Sequence, residues 1–317
     1  MTEDRRRPVT VLGGFLGSGK TTLLRRVGAS GPLSGVAVVV NELGEVGLDH
    51  ELVRSVADRP VLVGGGCACC ERREDLVGAL RELLDADQRG RVGPLRRVVI
   101  ETSGLADPAP ILFTIATDPV LQHHFRVDGV LVTVDGLQGL ESLDLHPKCG
   151  KQVAVADRLV VTKADVAPAG VLDRLEERLR ERNPFAAIER RGLDDPPPPL
   201  LEPLGERGPR AGADPAAHEP TASALALSFA EPLDWVGFSV WLSLLLQAHG
   251  EKVLRVKGVL DVAGVGPVSI NGVQHVLHRP EHLGEWPDGA GESRVVLITQ
   301  GLDAGLLRRS LWAFQGA

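Results

Sequence analysis

Runs of consecutive apolar residues alternate, through the first 190 residues, with stretches whose apolar residues recur every three or four positions. The runs are rich in Val and contain few polar positions, which is typical of strands covered on both faces. The recurring spacing is that of an amphipathic helix. Strands that alternate with helices predict an α/β domain built on a doubly wound parallel sheet. The predicted strands cover residues 9–12, 36–40, 61–63, 97–100, 130–135 and 159–163.

A change in composition marks the end of this domain near residue 191. The following residues, as far as 220, are rich in Pro and Gly, and such a stretch predicts a linker rather than a packed core. From residue 225 the pattern predicts a strand, a helix, a strand-rich stretch and a closing helix. We therefore predict a domain at residues 1–190, a linker at 191–222 and a smaller α+β domain at 223–317.

The composition limits the compartment and the class of partner. Of the 317 residues, 43% are hydrophobic, and the net charge of −7 argues against a nucleic-acid backbone as the main partner. No run approaches 18 apolar residues, and no apolar signal segment precedes the first strand, so we expect no membrane partner. Three of the four cysteines crowd into residues 67–70, which makes a disulfide framework implausible. We therefore expect a cytoplasmic protein.

A glycine-rich sequence joins the first predicted strand to the first predicted helix. Residues 14–21 have the spacing G-x-x-x-x-G-K-T of the phosphate-binding P-loop. Its glycines let backbone N–H groups turn toward a phosphate, its lysine supplies a positive charge, and its threonine can ligate Mg²⁺. The alternative is an ordinary strand-to-helix turn, but Lys-Thr stands at the offset that phosphate binding requires. The predicted nucleotide-binding residues here are Gly14, Gly17, Ser18, Gly19, Lys20, Thr21 and Thr22.

A second candidate segment, with Thr162, Lys163 and Asp165, follows a late strand of the sheet. The carboxylate of Asp165 can accept from the N1–H and 2-amino groups of guanine, whereas adenine offers neither donor there. A buried carboxylate without those donors is costly, so the sequence predicts a preference for guanine. The stem of Lys163 can lie over the base. Alone, T-K-x-D is a weak pattern that also occurs in solvated turns.

The segment 101–104 leaves another predicted strand and carries the candidate γ-phosphate sensor. Glu101 can hold a Mg²⁺-bound water, and the Gly104 N–H can contact the γ-phosphate. Both roles are positioning chemistry rather than covalent chemistry. We therefore expect the catalytic residues to be Lys20, Thr21, Glu101 and Gly104.

Closely spaced cysteines, Cys67, Cys69 and Cys70, follow the strand predicted at residues 61–63. Dense thiolates favour Zn²⁺ or Cu⁺, and tetrahedral coordination needs a fourth ligand. Glu42, Glu45 or a second chain of a homodimer can supply this ligand. The predicted ligands of the transition metal are therefore the three cysteines with Glu42 and Glu45, and Thr21 is the predicted ligand of Mg²⁺. The alternative is a set of inert, buried cysteines.

Together these segments resemble the CobW family of P-loop GTPases, which are related to the nickel-delivery GTPases of urease and hydrogenase maturation. Residues 41–47, 66–70, 101–108, 162–165, 255–258 and 272–274 carry the resemblance together with the P-loop. It implies GTP hydrolysis coupled to the binding of Zn²⁺ or Co²⁺ and to its delivery to an apoprotein. Leu105 stands where several GTPases place a water-orienting Gln, so we expect slow intrinsic hydrolysis. The His-rich segment of many members is reduced here to His218, which makes metal storage doubtful.

Two other classes of function share part of this pattern. A P-loop ATPase or small-molecule kinase has the same phosphate loop but should lack guanine specificity at Asp165. A non-hydrolysing sensor would bind GTP and metal without turnover. Competition between nucleotides distinguishes an ATPase or kinase from a GTPase. Single-turnover hydrolysis distinguishes a non-hydrolysing sensor from a GTPase.

Overall fold

A computed structural model describes residues 4–30, 35–41, 60–62, 73–198, 223–286 and 291–315. The chain divides into two compact units, each with its own sheet. No helix in these described ranges is long and apolar enough to cross a membrane.

The first unit contains a seven-stranded sheet in which every paired strand is parallel, as the sequence pattern predicts. Its spatial order is β3-β2-β4-β1-β5-β6-β7, so the strand order reverses around the first strand. The strands are β1 (Arg7–Gly14), β2 (Val36–Asn41), β3 (Pro60–Leu62), β4 (Arg97–Thr102), β5 (Phe125–Asp135), β6 (Arg158–Thr162) and β7 (Ala187–Arg190). The last strand is missing from the sequence prediction, because its four residues have no fully buried position.

In the described residues, helices lie between consecutive strands other than β2 and β3, as expected for parallel pairs. They are α1 (Lys20–Ser30), α2 (Arg73–Gln88), α3 (Ala109–Thr117), α4 (Leu121–His124), α5 (Gly139–Leu145), α6 (Pro147–Val155) and α7 (Ala169–Arg182). The predicted apolar face of α1 is buried: Leu23, Leu24 and Val27 pack with Leu12 and Leu131 of the central strands. Helix packing thus fixes the start of α1 at the carboxyl end of β1.

The register of the sheet decides which polar residues meet at that end. Leu12 on β1 pairs with Glu101 on β4, and Gly14 pairs with Thr133 on β5. Since ligands of open parallel sheets bind beyond the carboxyl ends of the strands, near the point where the order reverses, the loops after β1 and β4 mark the expected site.

The second unit contains an antiparallel sheet with the path β11-β10-β9-β13-β8, and β12 pairs with β10. The strands are β8 (Ser223–Phe229), β9 (Val253–Val262), β10 (Gly266–Val273), β11 (Val276–Leu277), β12 (Glu281–His282) and β13 (Ser293–Thr299). Two helices, α8 (Trp235–His249) and α9 (Ala304–Gln315), share one apolar core with the sheet. Asp234 caps α8 by accepting from the N–H groups of Val236 and Gly237. These elements agree with the α+β pattern predicted after residue 225.

Candidate nucleotide-binding site

The loop between β1 and α1 needs its glycines. Gly14, Gly17 and Gly19 have φ angles of 142°, 71° and 92°, which residues with a Cβ rarely adopt. At Gly14 a Cβ would also lie only 2.2 Å from Thr133 Oγ1. The loop backbone therefore packs against β5 in a shape that only glycine permits.

Two side chains of this loop stabilise its curvature. Lys20 is 9% exposed, and its Nζ donates to the carbonyl oxygens of Gly14 at 2.9 Å and Phe15 at 3.2 Å. Ser18 Oγ lies 2.7 Å from Thr133 Oγ1. The ammonium group is thus bent back over the loop, where the predicted phosphates would lie.

Thr21, the predicted Mg²⁺ ligand, lies beside Glu101, which we expect to hold a Mg²⁺-bound water. Thr21 Oγ1 donates to Glu101 Oε1 at 2.8 Å, although the two residues are 80 positions apart in the chain. A hydroxyl and a carboxylate are hard oxygen donors of the kind that Mg²⁺ prefers, so the pair fits that ion. A cavity of about 290 Å³ opens beside them. Its lining includes Gly17, Lys20, Thr21, Thr22, Glu101 and Gly104.

The Glu101 segment touches the phosphate loop directly. A Cβ on Gly104 would lie 2.6–2.9 Å from the side chain and backbone of Leu16, so glycine is needed for this close approach. The Ala106 N–H donates to Ser103 O at 3.1 Å and closes a turn. Gln152 of α6 donates from Nε2 to Ala106 O at 2.8 Å and to Gly104 O at 3.3 Å.

The predicted base-reading segment is tied to the phosphate loop and to β5. Thr162 Oγ1 donates to Ser18 O at 2.9 Å and contacts Val134 O at 3.2 Å. Lys163 has a φ of 55° and forms an ion pair with Asp135. The other Asp135 oxygen accepts from the Leu137 N–H at 2.8 Å. Asp135 therefore holds both the turn after β5 and the lysine of the base segment.

Asp165 is held in place by a loop that the sequence assigned to the linker. A Cβ on Gly192 would lie 2.7 Å from the Asp165 Cβ, so this glycine lets the Asp165 side chain lie against the loop. Arg191 continues the edge of the sheet, with its N–H donating to Val161 O at 2.8 Å and its O accepting from Ala164 N–H at 3.2 Å. Arg26 of α1 donates to Gly192 O at 3.0 Å and fixes the loop from the other side.

The structure thus brings the predicted nucleotide-binding and catalytic residues to one edge of the first sheet. The predicted metal ligands Cys67, Cys69, Cys70, Glu42 and Glu45 lie outside the described residues, so the metal site stays a prediction. The fourth cysteine, Cys149, is buried on α6.

Sequence reasoning missed three residues that support the site: Asp135, Gln152 and Gly192. No clear sequence pattern pointed to these residues, because each one contacts a segment that is far away in the chain. Only Asp135, which ends a predicted strand as the other site residues do, could have been found from its position.

Two family descriptions match this chain. Residues 8–189 match the CobW/HypB/UreG nucleotide-binding domain, and residues 222–315 match the cobalamin synthesis protein cobW C-terminal domain.

Curated relatives are similar over almost the whole chain. The zinc chaperone YjiA of Escherichia coli K12 is 34% identical over 300 residues, which cover 92% of this chain and 93% of the relative. The zinc chaperone CobW of Pseudomonas aeruginosa is 30% identical, with coverages of 96% and 90%. A crystal structure of the Zn(II)-bound YjiA GTPase from E. coli aligns with a TM-score of 0.76 and 28% identity, over 98% of this chain and 99% of that one. This chain therefore belongs to the CobW/HypB/UreG family, as the resemblance of its motifs predicts.

Proposed function

We propose that this protein is a GTPase that binds a transition metal at Cys67, Cys69 and Cys70 and delivers it to an apoprotein in a nucleotide-dependent way. Support for GTP hydrolysis comes from the family and from a solved relative that is described as a GTPase. Two relatives are described as zinc chaperones, so zinc is our first candidate metal and cobalt the second. The acceptor would be a metalloenzyme or another metalloprotein.

The observation that carries this proposal is the register of three neighbouring strands. Asn41, the last residue of β2, pairs with Thr102, and Val40 pairs with Leu62, the last residue of β3. Parallel strands end at the same edge of a sheet. The segments with the predicted metal ligands therefore begin at the edge that carries the Glu101 segment.

Nucleotide binding follows from the groups at this edge. Backbone N–H groups of the glycine loop and the Lys20 ammonium would hold the phosphates, because both present positive charge to the same space. Thr21 would hold Mg²⁺ and Glu101 would hold a water on that ion, which would supply positive charge for the oxygens of the β- and γ-phosphates when it is bound. Glu101 also accepts from the Thr21 hydroxyl and so orients it.

Guanine would be read by Asp165, as its carboxylate matches two donors on the guanine edge. The ion pair of Lys163 with Asp135 orients the lysine, and Gly192 leaves room for the Asp165 side chain. Asp165 is exposed in the structure, not buried as the sequence argument assumed, so the penalty would arise only where the bound base covers the carboxylate. An adenine would cover it without offering donors, which lowers its affinity.

The metal would be cargo rather than a resident cofactor. Three thiolates and one glutamate, Glu42 or Glu45, satisfy a tetrahedral ion, or a second chain supplies the fourth ligand. A YjiA triple mutant, in which one glutamate and two cysteines are replaced by alanine, is described as Zn(II)-bound, so zinc binding in that relative does not require those three side chains. Loss of metal affinity on substitution of Cys69 is therefore the test of our ligand set.

Coupling between nucleotide and metal would make the protein a chaperone. A γ-phosphate that orders the segment after β2 would bring a glutamate toward the thiolates, as γ-phosphates order switch segments in other GTPases. By linkage, GTP would then tighten metal binding, and metal would tighten GTP binding by the same factor, typically about 5- to 150-fold. Hydrolysis would loosen the metal for transfer.

The test is an anaerobic titration of Zn²⁺ and Co²⁺ into the protein with a non-hydrolysable GTP analogue or with GDP. We expect tighter metal binding with the analogue, and loss of metal binding in the Cys69→Ser variant. Cys149→Ala is the matched control, because this cysteine is buried on α6 and outside the motif. Identical affinities in both nucleotide states would leave a metal-binding GTPase and remove the chaperone mechanism.

Nucleotide competition tests the enzyme class in the same samples. Equal competition by ATP and GTP would favour the ATPase or kinase alternative. Tight GTP binding without single-turnover hydrolysis, with or without metal, would favour a sensor.

A further inference from the structure

Helix α6 contacts both sides of the candidate phosphate site. At its N-terminus the His146 ring stacks on Phe15 of the phosphate loop, with ring centroids 4.7 Å apart and an interplanar angle of 25°. Near its C-terminus Gln152 donates to the carbonyl oxygens of Gly104 and Ala106. One short helix thus bridges the phosphate loop and the turn that follows Glu101.

Gln152 is an unusual choice for this position. Its side chain is 1% exposed, and its Oε1 is buried without a hydrogen-bond partner in the part of the chain that the structure describes. A buried acceptor that makes no hydrogen bond costs about 1–3 kcal/mol. An apolar side chain of similar shape would avoid that cost but would leave the carbonyl groups of Gly104 and Ala106 without this donor. The amide is therefore explained by its two donated hydrogen bonds, which act on the backbone of the turn.

That turn is constrained on three sides. The Ala106 N–H closes it onto Ser103 O, Leu16 leaves no room beside Gly104, and Gln152 holds the carbonyl groups of Gly104 and Ala106. A carbonyl held in one direction fixes its whole peptide plane, since the peptide bond is planar. The orientation of the backbone at Gly104 therefore depends on an amide 48 residues away.

We propose that Gln152 is a positioning residue that holds the Gly104 turn in the orientation needed to contact the γ-phosphate, and so sets the preference for GTP over GDP. This inference rests on the proposed role of residues 101–104 as the γ-phosphate sensor. GDP has no γ-phosphate, so its binding does not depend on this turn. Loss of the two hydrogen bonds therefore weakens GTP binding and hydrolysis selectively.

The decisive variant is Gln152→Met, which keeps the length of the side chain and removes both the donors and the unpaired acceptor. We expect kcat for GTP hydrolysis to fall about 10- to 100-fold, because a small misplacement of a positioning group has effects of that size. The affinity for a non-hydrolysable GTP analogue should fall about tenfold, the effect of roughly 1.4 kcal/mol from lost hydrogen bonds. The affinity for GDP should stay at the parent value, whereas the melting temperature should fall by a few degrees, because two carbonyl groups lose their donor.

Three further variants make the result specific. Gln152→Asn keeps the amide but is one methylene too short to reach both carbonyl groups. Its kcat and its affinity for the GTP analogue should therefore fall, as for Gln152→Met. This variant serves as the test if Gln152→Met folds poorly. Gln122→Met is the matched control, as it makes the same substitution on an exposed position of α4. Gly104→Ala tests the proposed sensor itself.

The outcomes separate the inference from the function on which it rests. If Gly104→Ala changes the analogue-to-GDP affinity ratio and both Gln152 variants keep it, the inference is overturned and the sensor role stands. If Gly104→Ala and both Gln152 variants all keep the analogue-to-GDP affinity ratio, the sensor assignment fails and the inference fails with it. If a Gln152 variant loses affinity for GDP and the GTP analogue alike, so that their ratio is unchanged, Gln152 is a packing residue and the inference is overturned.

Discussion

The two halves of the candidate site are built from different parts of the chain. The phosphate half consists of one continuous loop that would bind phosphates mainly through its backbone N–H groups. Its glycines have φ angles of 142°, 71° and 92°. The base half consists of side chains from three separate loops, held by the Lys163–Asp135 ion pair and by the close approach of Gly192 to Asp165. The two halves therefore have different tasks. The phosphate half binds the group that all nucleotides share, and the base half recognises the base that distinguishes one nucleotide from another. Substitutions in the two halves should therefore have different signatures.

The largest effect should come from Lys20→Ala, which removes the only lysine side chain lining the described cavity. Two charge-assisted hydrogen bonds to phosphates contribute about 1.5–3 kcal/mol each, so affinity should fall about 100-fold or more. The loss should be equal for GTP and ATP, because the phosphate half does not read the base, and smaller for GDP, which has no γ-phosphate. Isothermal titration calorimetry measures it, with Lys252→Ala as the exposed-lysine control. A loss confined to one base would show that the two halves are not separate.

The next effect should come from Glu101→Ala, which removes the carboxylate that accepts from Thr21. We expect kcat for GTP hydrolysis to fall about 100-fold, as for the loss of a preorganised charge-stabilising group. GDP affinity should change little. Single-turnover hydrolysis at saturating GTP and Mg²⁺ measures the effect, and Glu141→Ala on the exposed surface of α5 is the control. Normal turnover in the Glu101 variant would show that the proposed sensor is wrong.

A smaller effect, of a different kind, should come from Asp165→Asn in the base half. An amide replaces the carboxylate, so one of the two guanine donors loses a charged acceptor. The GTP-to-ATP affinity ratio should fall about 10- to 100-fold, the effect of one charged hydrogen bond. Competition between the two nucleotides measures the ratio, and Asp144→Asn on the exposed part of α5 is the control. Equal binding of ATP and GTP by the parent protein would contradict this assignment at once.

The smallest effect should come from Gly192→Ala, which tests whether the loop after β7 belongs to the base half. The added methyl group would press on Asp165, and overpacking by one methyl group typically costs about 1 kcal/mol or more, roughly fivefold in affinity. GTP and GDP should weaken alike, while kcat at saturating GTP stays constant. Gly170→Ala is the matched control, because nothing lies within 4 Å of its added Cβ. Unchanged affinity in the Gly192 variant would place this loop outside the site.

The ease of prediction also differs between the two halves. The phosphate half could be read from the sequence because its glycines, lysine and threonine lie within one loop, and the geometry of that loop depends on local backbone freedom. The base half was predicted only at residues 162–165. Arg26 and Gly192, which fix the loop behind Asp165, are 166 residues apart, and no local pattern links them.

The sequence by itself determined the alternation of strands and helices, the phosphate loop and the family. These features depend on side-chain periodicity and on residue types at short fixed spacings, which a single chain segment already contains. Only the tertiary structure decided that β4 lies beside β1, that Thr21 meets Glu101, and that Gln152 holds the turn at Gly104. Those contacts arise from strand order and register, which are set by the packing of the whole sheet rather than by any one segment.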